Sequence, residues 1–314
     1  MVIDVHPEFG YELVCSIPYA YYLQNKGQLE KCIVPKGMTP FYYFCENVEE
    51  KYDVRSIDNR TNGVQNLPNP WIHHNSEAVF GKDYSELTDE EKVKANGVLD
   101  YSQWTPPPYR EVYYDDSLDL PERFVVIQNR YNLEHGQEPI GYFDIESLYE
   151  IFNILTEKGY SIIYKRPKNT EFVNDPNELR GLDISANVEG QGVITDFDLC
   201  GYYSNVYLID DVIEKISKSY NESQLNIFSR ASGFISMGGG TSCFSAYFKK
   251  PVIIYVNTSG DIRPGYFNGN SYFKKLSNAP IYPVVDKKDD IIKRGYRDYS
   301  KVFKYVREVF DNGQ

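Results

Sequence analysis

Five groups of residues have the types and spacing to do chemistry. The first is Gly238-Gly239-Gly240-Thr241-Ser242, between the apolar run Phe234–Met237 and an apolar stretch that ends at Pro251. Glycines permit a close turn, and Thr241 or Ser242 is the expected N-cap of a helix over Cys243–Lys250. A glycine-lined helix start of this kind binds an anion, usually a phosphate. The second is Arg130, in the polar loop Gln128–Asn132 that follows the strand-like Phe124–Ile127, with Asn129 beside it. The third is Lys165-Arg166, directly after Ser161–Tyr164. Arginine suits a phosphate because its fork binds two oxygens at once. The fourth is His6, Glu8 and Glu12, at the turn after the first strand, where a carboxylate or imidazole can take a proton from a hydroxyl. The fifth is Asp196-Phe197-Asp198, two carboxylates at i and i+2 that suit a divalent cation. It is short and common by chance, and a surface turn is the expected reading.

Elements must hold these residues in place. Val2–Val5 reads as a strand, Tyr11–Asn25 as a helix bent at Pro18, Cys32–Val34 as a second strand and Phe41–Cys45 as a short helix. This is a Rossmann-type opening. Residues 58–109 are rich in Asn, Pro and charge, with one polar helix expected near Thr88–Asn96. They read as an irregular insertion, a lid or an acceptor-side element. A second α/β pattern starts at Phe124. Asp144 is the expected cap of a helix ending at Lys158-Gly159, and Val193-Ile194 and Val206–Ile209 are expected strands. Asn221 or Ser223 is the expected cap of a helix over Leu225–Ser229, before the glycine turn and the strand Val252–Tyr255. The repeating order implies a second parallel sheet with helices on both faces. Arg130, Lys165, Arg166 and Asp210 then lie at strand C-termini, where open α/β sheets bind ligands.

Composition narrows the function. The chain has 314 residues, 33 Lys and Arg against 45 Asp and Glu, and a formal net charge of −12, which argues against general nucleic-acid binding. Five cysteines (Cys15, Cys32, Cys45, Cys200, Cys243) form no C-x-x-C pair, as in a reduced, cytoplasmic protein. No apolar run has the length of a membrane span, and Met1 leads straight into a strand with no signal peptide. His73-His74 are adjacent, so in a strand they face opposite ways, and zinc is not expected.

The succession FVVIQNR, then FDIESLYEIFNILTEKGYSIIYKR, then SYNESQLNIFSRASGFISMGGGTSCFSAYFKKPVIIY resembles the C-terminal domain of GT-B glycosyltransferases, in the layout of the heptosyltransferase-like and fucosyltransferase-like branches. The likeness is good over about residues 120–260 and looser over 1–50. It departs at the turn, where Gly-Gly-Gly-Thr-Ser replaces the usual acidic residue and Gly-Pro-His. The resemblance implies an α/β chain of two Rossmann-like domains facing a cleft: an acceptor-side domain, 1–120, with its insertion at 58–109, and a nucleotide-sugar-binding domain, 121–314. It implies a transferase of hexosyl or pentosyl groups from a nucleotide sugar to a glycan or other hydroxyl. Gly238, Gly239, Gly240, Thr241, Ser242, Asn129, Lys165, Arg166 and Asp210 would hold the donor. Glu8, His6 and Arg130 would act in catalysis. No cofactor or metal is expected, although a divalent ion is compatible. A sugar-nucleotide epimerase of the same fold is the second reading. A non-catalytic carbohydrate-binding protein is the third, favoured by the 29 tyrosines.

Overall fold

The described residues contain eleven strands, most of them formed from apolar runs. The computed structural model describes residues 1–56, 67–69, 72–131, 139, 141–166, 184–190, 192–257, 265–267 and 269–311. Part of the 58–109 stretch, including Trp71, and residues 132–138 of the loop after Gln128 lie outside the described residues.

In the N-terminal half, β1 (Val2–Asp4), β2 (Lys31–Pro35) and β3 (Val48–Tyr52) form a parallel sheet in the order β1-β2-β3. β3 has no counterpart in the sequence reading. Its Val-Glu-Glu-Lys-Tyr pattern lacks an apolar face, and it is an edge strand whose charges blunt the open edge. The remaining strands are β4 (Phe124–Gln128), β5 (Ser161–Lys165), β6 (Ser185–Val188), β7 (Gly192–Thr195), β8 (Val206–Leu208), β9 (Gly233–Met237), β10 (Val252–Val256) and β11 (Ile281–Val285). Six of them form a parallel sheet ordered β11-β10-β9-β4-β5-β8. Numbered within that sheet, this is the Rossmann order 3-2-1-4-5-6, with its switch point between β4 and β9. β4, β9 and β10 are buried throughout, as apolar runs covered on both faces should be. β11 is the edge and tolerates Pro283. β7 does not join this sheet, contrary to expectation. It pairs antiparallel with β6 in a separate hairpin.

One face of the six-stranded sheet is covered by helices Ile145–Glu157 and Ser300–Val309. Asp144 caps the first, accepting from the Ser147 N–H at 2.9 Å, as expected. The other face carries helices Ile209–Ile216, Tyr220–Arg230 and Gly240–Ala246. Ser219, rather than Asn221 or Ser223, caps Tyr220–Arg230. The core on this face continues into the N-terminal half. Ile3, Val34, Phe41, Tyr109, Phe228, Phe244 and Ile254 belong to one apolar cluster. The short helix expected over Phe41–Cys45 is instead a turn of 3-10 helix over Thr39–Tyr42.

The first helical segment is interrupted. Phe9–Tyr11 is α-helical, Glu12–Ser16 is π-helical and Ile17–Asn25 is α-helical. Pro18 explains the wide turn. It has no N–H to give to either Leu13 or Val14, so both carbonyls are left over. Side chains from elsewhere answer both: the Trp104 indole N–H donates to the Val14 oxygen at 2.7 Å, and the Tyr247 hydroxyl donates to the Leu13 oxygen.

The described part of stretch 58–109 carries regular structure. Helix Asp89–Ala95 has a Thr88–Glu91 capping box, matching the helix expected there. The stretch docks on the C-terminal half, where Val98 bridges to Ser271 and the Tyr272 N–H donates to the Gly97 oxygen at 2.8 Å. No helix among the described residues is long and apolar enough to cross a membrane.

Candidate active site

Three strand-to-helix turns converge at the switch point. The turn after β9 brings the chain to Gly239, whose φ of 113° and ψ of −159° are open only to glycine. Gly239 is the N-cap and the helix starts at Gly240, so the expected cap at Thr241 or Ser242 is corrected. Both hydroxyls are turned into the chain. Ser242 is fully buried and donates to the Gly239 oxygen at 2.7 Å, while Thr241 lies 3.4 Å from the Met237 oxygen and accepts from Ser236 at 3.1 Å. The Gly238 N–H is also committed, to the Tyr255 oxygen at 2.9 Å. The N–H groups of Gly240 and Thr241, the first two helical residues, have no acceptor within the helix.

The turn after β4 supplies Arg130. Its Nη1 lies 3.2 Å from the point where a Cβ on Gly239 would stand. Its Nη2 lies 3.1 Å from the corresponding point on Gly141, and its Nε donates to the Gly141 oxygen at 3.3 Å. The guanidinium therefore lies along the crevice between β4 and β9, held against two backbones that have no side chains.

The turn after β1 closes the site from the other half. A Cβ on Gly240 would stand 3.1 Å from the Gly10 nitrogen and 3.3 Å from its Cα, so the two glycines let the two halves touch backbone to backbone. Glu8 is exposed on this turn, with Oε1 3.4 Å from the Cβ point of Gly10. Beneath it, Arg55 donates through Nη1 to the Pro7 oxygen at 2.8 Å and to Glu12, and lies 5.3 Å from the Phe9 ring. Glu12 is fully buried and also accepts from the Tyr42 hydroxyl at 2.9 Å. Burial first, and then Glu12, push the Tyr42 hydroxyl well above its ordinary pKa. His6 stacks on Tyr52 at 4.2 Å, and its buried Nδ1 has no partner among the described residues.

Two other residues expected at the donor site, Asn129 and Arg166, bond into the fold. Asn129 is buried and makes four bonds: Nδ2 to the Phe143 oxygen (2.9 Å) and to the Tyr164 hydroxyl (3.0 Å), and Oδ1 from the Arg130 and Phe143 N–H groups at 3.0 and 2.9 Å. Arg166 is buried and forks onto Asp196, with Nε to Oδ2 at 2.5 Å and Nη2 to Oδ1 at 2.8 Å. Asp196 is fully buried and takes a third bond from the Tyr164 hydroxyl at 2.7 Å. The surface turn expected at Asp196–Asp198 is thus corrected: it is the start of helix Asp196–Gly201, with Asp198 in a capping box to Thr195. Lys165 is buried, its ammonium 5.6 and 5.8 Å from the Phe228 and Phe244 ring centres. Asp210 stands in the first turn of helix Ile209–Ile216, where its charge suits the helix start. His73 and His74 do face apart, toward Tyr266 and onto Tyr84 respectively.

No family model and no curated protein sequence matches the chain. Among solved structures, Escherichia coli ADP-heptose lipopolysaccharide heptosyltransferase II aligns over 98% of this chain and 98% of its own, with 11% identity and a TM-score of 0.53. The fold is GT-B. E. coli heptosyltransferase WaaC with ADP aligns over 90% of this chain and 93% of its own, at 11% identity and a TM-score of 0.48. A family 9 glycosyl transferase from Veillonella parvula aligns over 98% and 95%, at 11% identity and 0.47. Within the GT-B frame, residues the sequence reading passed over include Gly141, Arg55 and Asn257. Asn257 had a signal: it is the polar residue that ends the apolar run Val252–Val256.

Proposed function

We propose that this protein is a glycosyltransferase that moves a sugar from a nucleotide-sugar donor to a hydroxyl of a glycan or other acceptor, without a metal. The observation that carries the reading is Arg130 laid against Gly239 at the switch point of a GT-B sheet. A diphosphate placed there meets a guanidinium and the first N–H groups of the Gly240–Ala246 helix. Both stabilise the negative charge that grows as the bond from the anomeric carbon to the phosphoryl oxygen breaks. Glu8, exposed on the facing turn, takes the acceptor proton as its oxygen bonds to the anomeric carbon. His6 is less suited, because its ring is stacked on Tyr52 and one nitrogen is buried. The N-terminal half is the acceptor side. The donor class includes the heptosyl group named for the E. coli neighbour, beyond the hexosyl and pentosyl groups expected from the sequence.

The test is calorimetric titration with ADP, UDP, GDP and CDP, with and without chelator. At least one should bind, equally well in both conditions. Arg130→Ala should weaken it by about 1.5–3 kcal/mol, the range for a hydrogen bond to a charged group. Gly239→Val should abolish binding even in the folded fraction, because it fills the crevice. Binding that survives both substitutions would remove the donor from this place. Turnover of the donor with no acceptor present would favour the epimerase.

A further inference from the structure

The C-terminal edge of the six-stranded sheet holds a buried amide whose donor is unused. Asn257 is the first residue after β10 and is 2% exposed. Its Nδ2 has no hydrogen-bond partner among the described residues. Buried donors are almost always paired, so an orphan asks for an acceptor that binds from outside. Its surroundings say what kind. The Cβ point of Gly141 lies 2.8 Å from Asn257 Oδ1, 3.2 Å from its Nδ2 and 3.1 Å from Arg130 Nη2, so amide and guanidinium meet over one glycine. The sheet order β10-β9-β4 places Asn257 on one side of β9 and Arg130 on the other. Arg130 thus reaches across the end of β9 toward the amide. Asp286, the carboxylate after β11, is already neutralised by Arg294 at 2.7 Å and bonded to the Tyr255 hydroxyl and the Asp298 N–H at 2.9 and 2.8 Å. Over Gly141 a guanidinium nitrogen and a neutral amide donor thus lie side by side, a pairing that favours an anionic oxygen over a hydroxyl.

We propose that Asn257 is a ligand-binding residue, which with Arg130 grips one phosphoryl group of the donor diphosphate, its Nδ2 donating to a phosphoryl oxygen. The inference rests on the glycosyltransferase reading and adds a residue and a role to it. Gly141 is part of the device, because a side chain there would push both groups away.

The probe is inorganic pyrophosphate, titrated into the full chain by calorimetry, with thermal melting of the unliganded protein alongside. Asn257→Asp, which keeps the shape and removes the donor, should weaken pyrophosphate by about tenfold or more, and Asn257→Ala by about three- to tenfold, while melting stays the same or rises. A purely structural amide gives the opposite pattern: lower melting temperatures, with pyrophosphate affinity kept by the folded protein. That result overturns the proposal. If Arg130→Ala loses pyrophosphate while both Asn257 variants keep it, the role of Asn257 fails alone and the donor site stands. If the unsubstituted protein binds neither pyrophosphate nor any nucleoside diphosphate, the donor reading falls and takes this one with it.

Discussion

Two buried carboxylates, Glu12 in the N-terminal half and Asp196 in the C-terminal half, have the same two kinds of partner: a tyrosine hydroxyl and an arginine guanidinium. The arrangements differ in closure. Arg166 meets Asp196 with two nitrogens, so both oxygens of the carboxylate are matched by one fork. Arg55 gives Glu12 only Nη1, shares that nitrogen with the Pro7 oxygen, and leaves a buried Nε with no partner among the described residues. The closed triad ties the end of β5 to a helix start and serves the fold. The open triad lies under the turn that carries Glu8 and serves the position of that turn. An arginine following a strand is therefore not diagnostic of a ligand. What matters is whether a buried carboxylate already fills its fork.

The largest effect expected from this contrast is at Asp196. Asp196→Ala leaves Arg166 buried without its counter-ion and should cost about 3–5 kcal/mol in urea unfolding. A loss near zero would return Arg166 to the candidates for donor binding. Arg55→Ala should destabilise somewhat less, by about 3 kcal/mol, because Glu12 loses its counter-ion but keeps the bond from the Tyr42 hydroxyl. Its main effect should be on turnover, with kcat falling while nucleotide affinity holds. Equal kcat in Arg55→Ala and the unsubstituted protein would separate the open triad from the Glu8 turn.

A third expectation concerns alkaline pH. Burial, and then the neighbouring carboxylate, hold the Tyr164 hydroxyl well above its ordinary pKa, as they do for Tyr42. The unfolded chain ionises these tyrosines near pH 10 while the folded chain keeps them neutral. The stability they contribute is therefore complete below about pH 10 and is lost as pH rises above it. Tyr164→Phe should flatten that alkaline decline in a melting series. An unchanged slope would mean that the hydroxyl is not held neutral by the triad. The smallest effect is expected at Asp198. Asp198→Ala removes half of a capping box, about 1 kcal/mol or less, and should leave nucleotide binding untouched with or without chelator. A Mn²⁺-dependent activity lost in this variant would revive the metal reading of the Asp-x-Asp pair.

Much of the sheet was legible because β4, β5, β9 and β10 are apolar runs bounded by polar turns, and their order of appearance implies a parallel sheet. β3 and β11 were not, since edge strands mix charge or proline into the pattern. The helix start at Gly240 was misplaced because Thr241 and Ser242 are common caps, yet Gly239 adopts a backbone that removes the need for one. For the candidate site, strand ends pointed to Arg130 and Arg166 alike, and only the long polar loop around Arg130 set it apart in the sequence; the structure adds a sharper distinction. That distinction depends on Asp196, 30 residues away and buried by the fold. Gly141 was hidden, and Asn257 was marked only as the polar end of an apolar run, because the meaning of both comes from converging on one point.

The π-helical turn before Pro18 has a consequence for how the chain is made. The Val14 carbonyl waits for an indole 90 residues later, and the Leu13 carbonyl for a hydroxyl 234 residues later. On a ribosome, the Val14 carbonyl is therefore unanswered until Trp104 has been made, and the Leu13 carbonyl until Tyr247 has, when most of the polypeptide has been synthesised. Contacts of such long sequence separation form late and close large loops. The N-terminal half is thus finished by the C-terminal half, and Tyr247 is the latch that ends the wait.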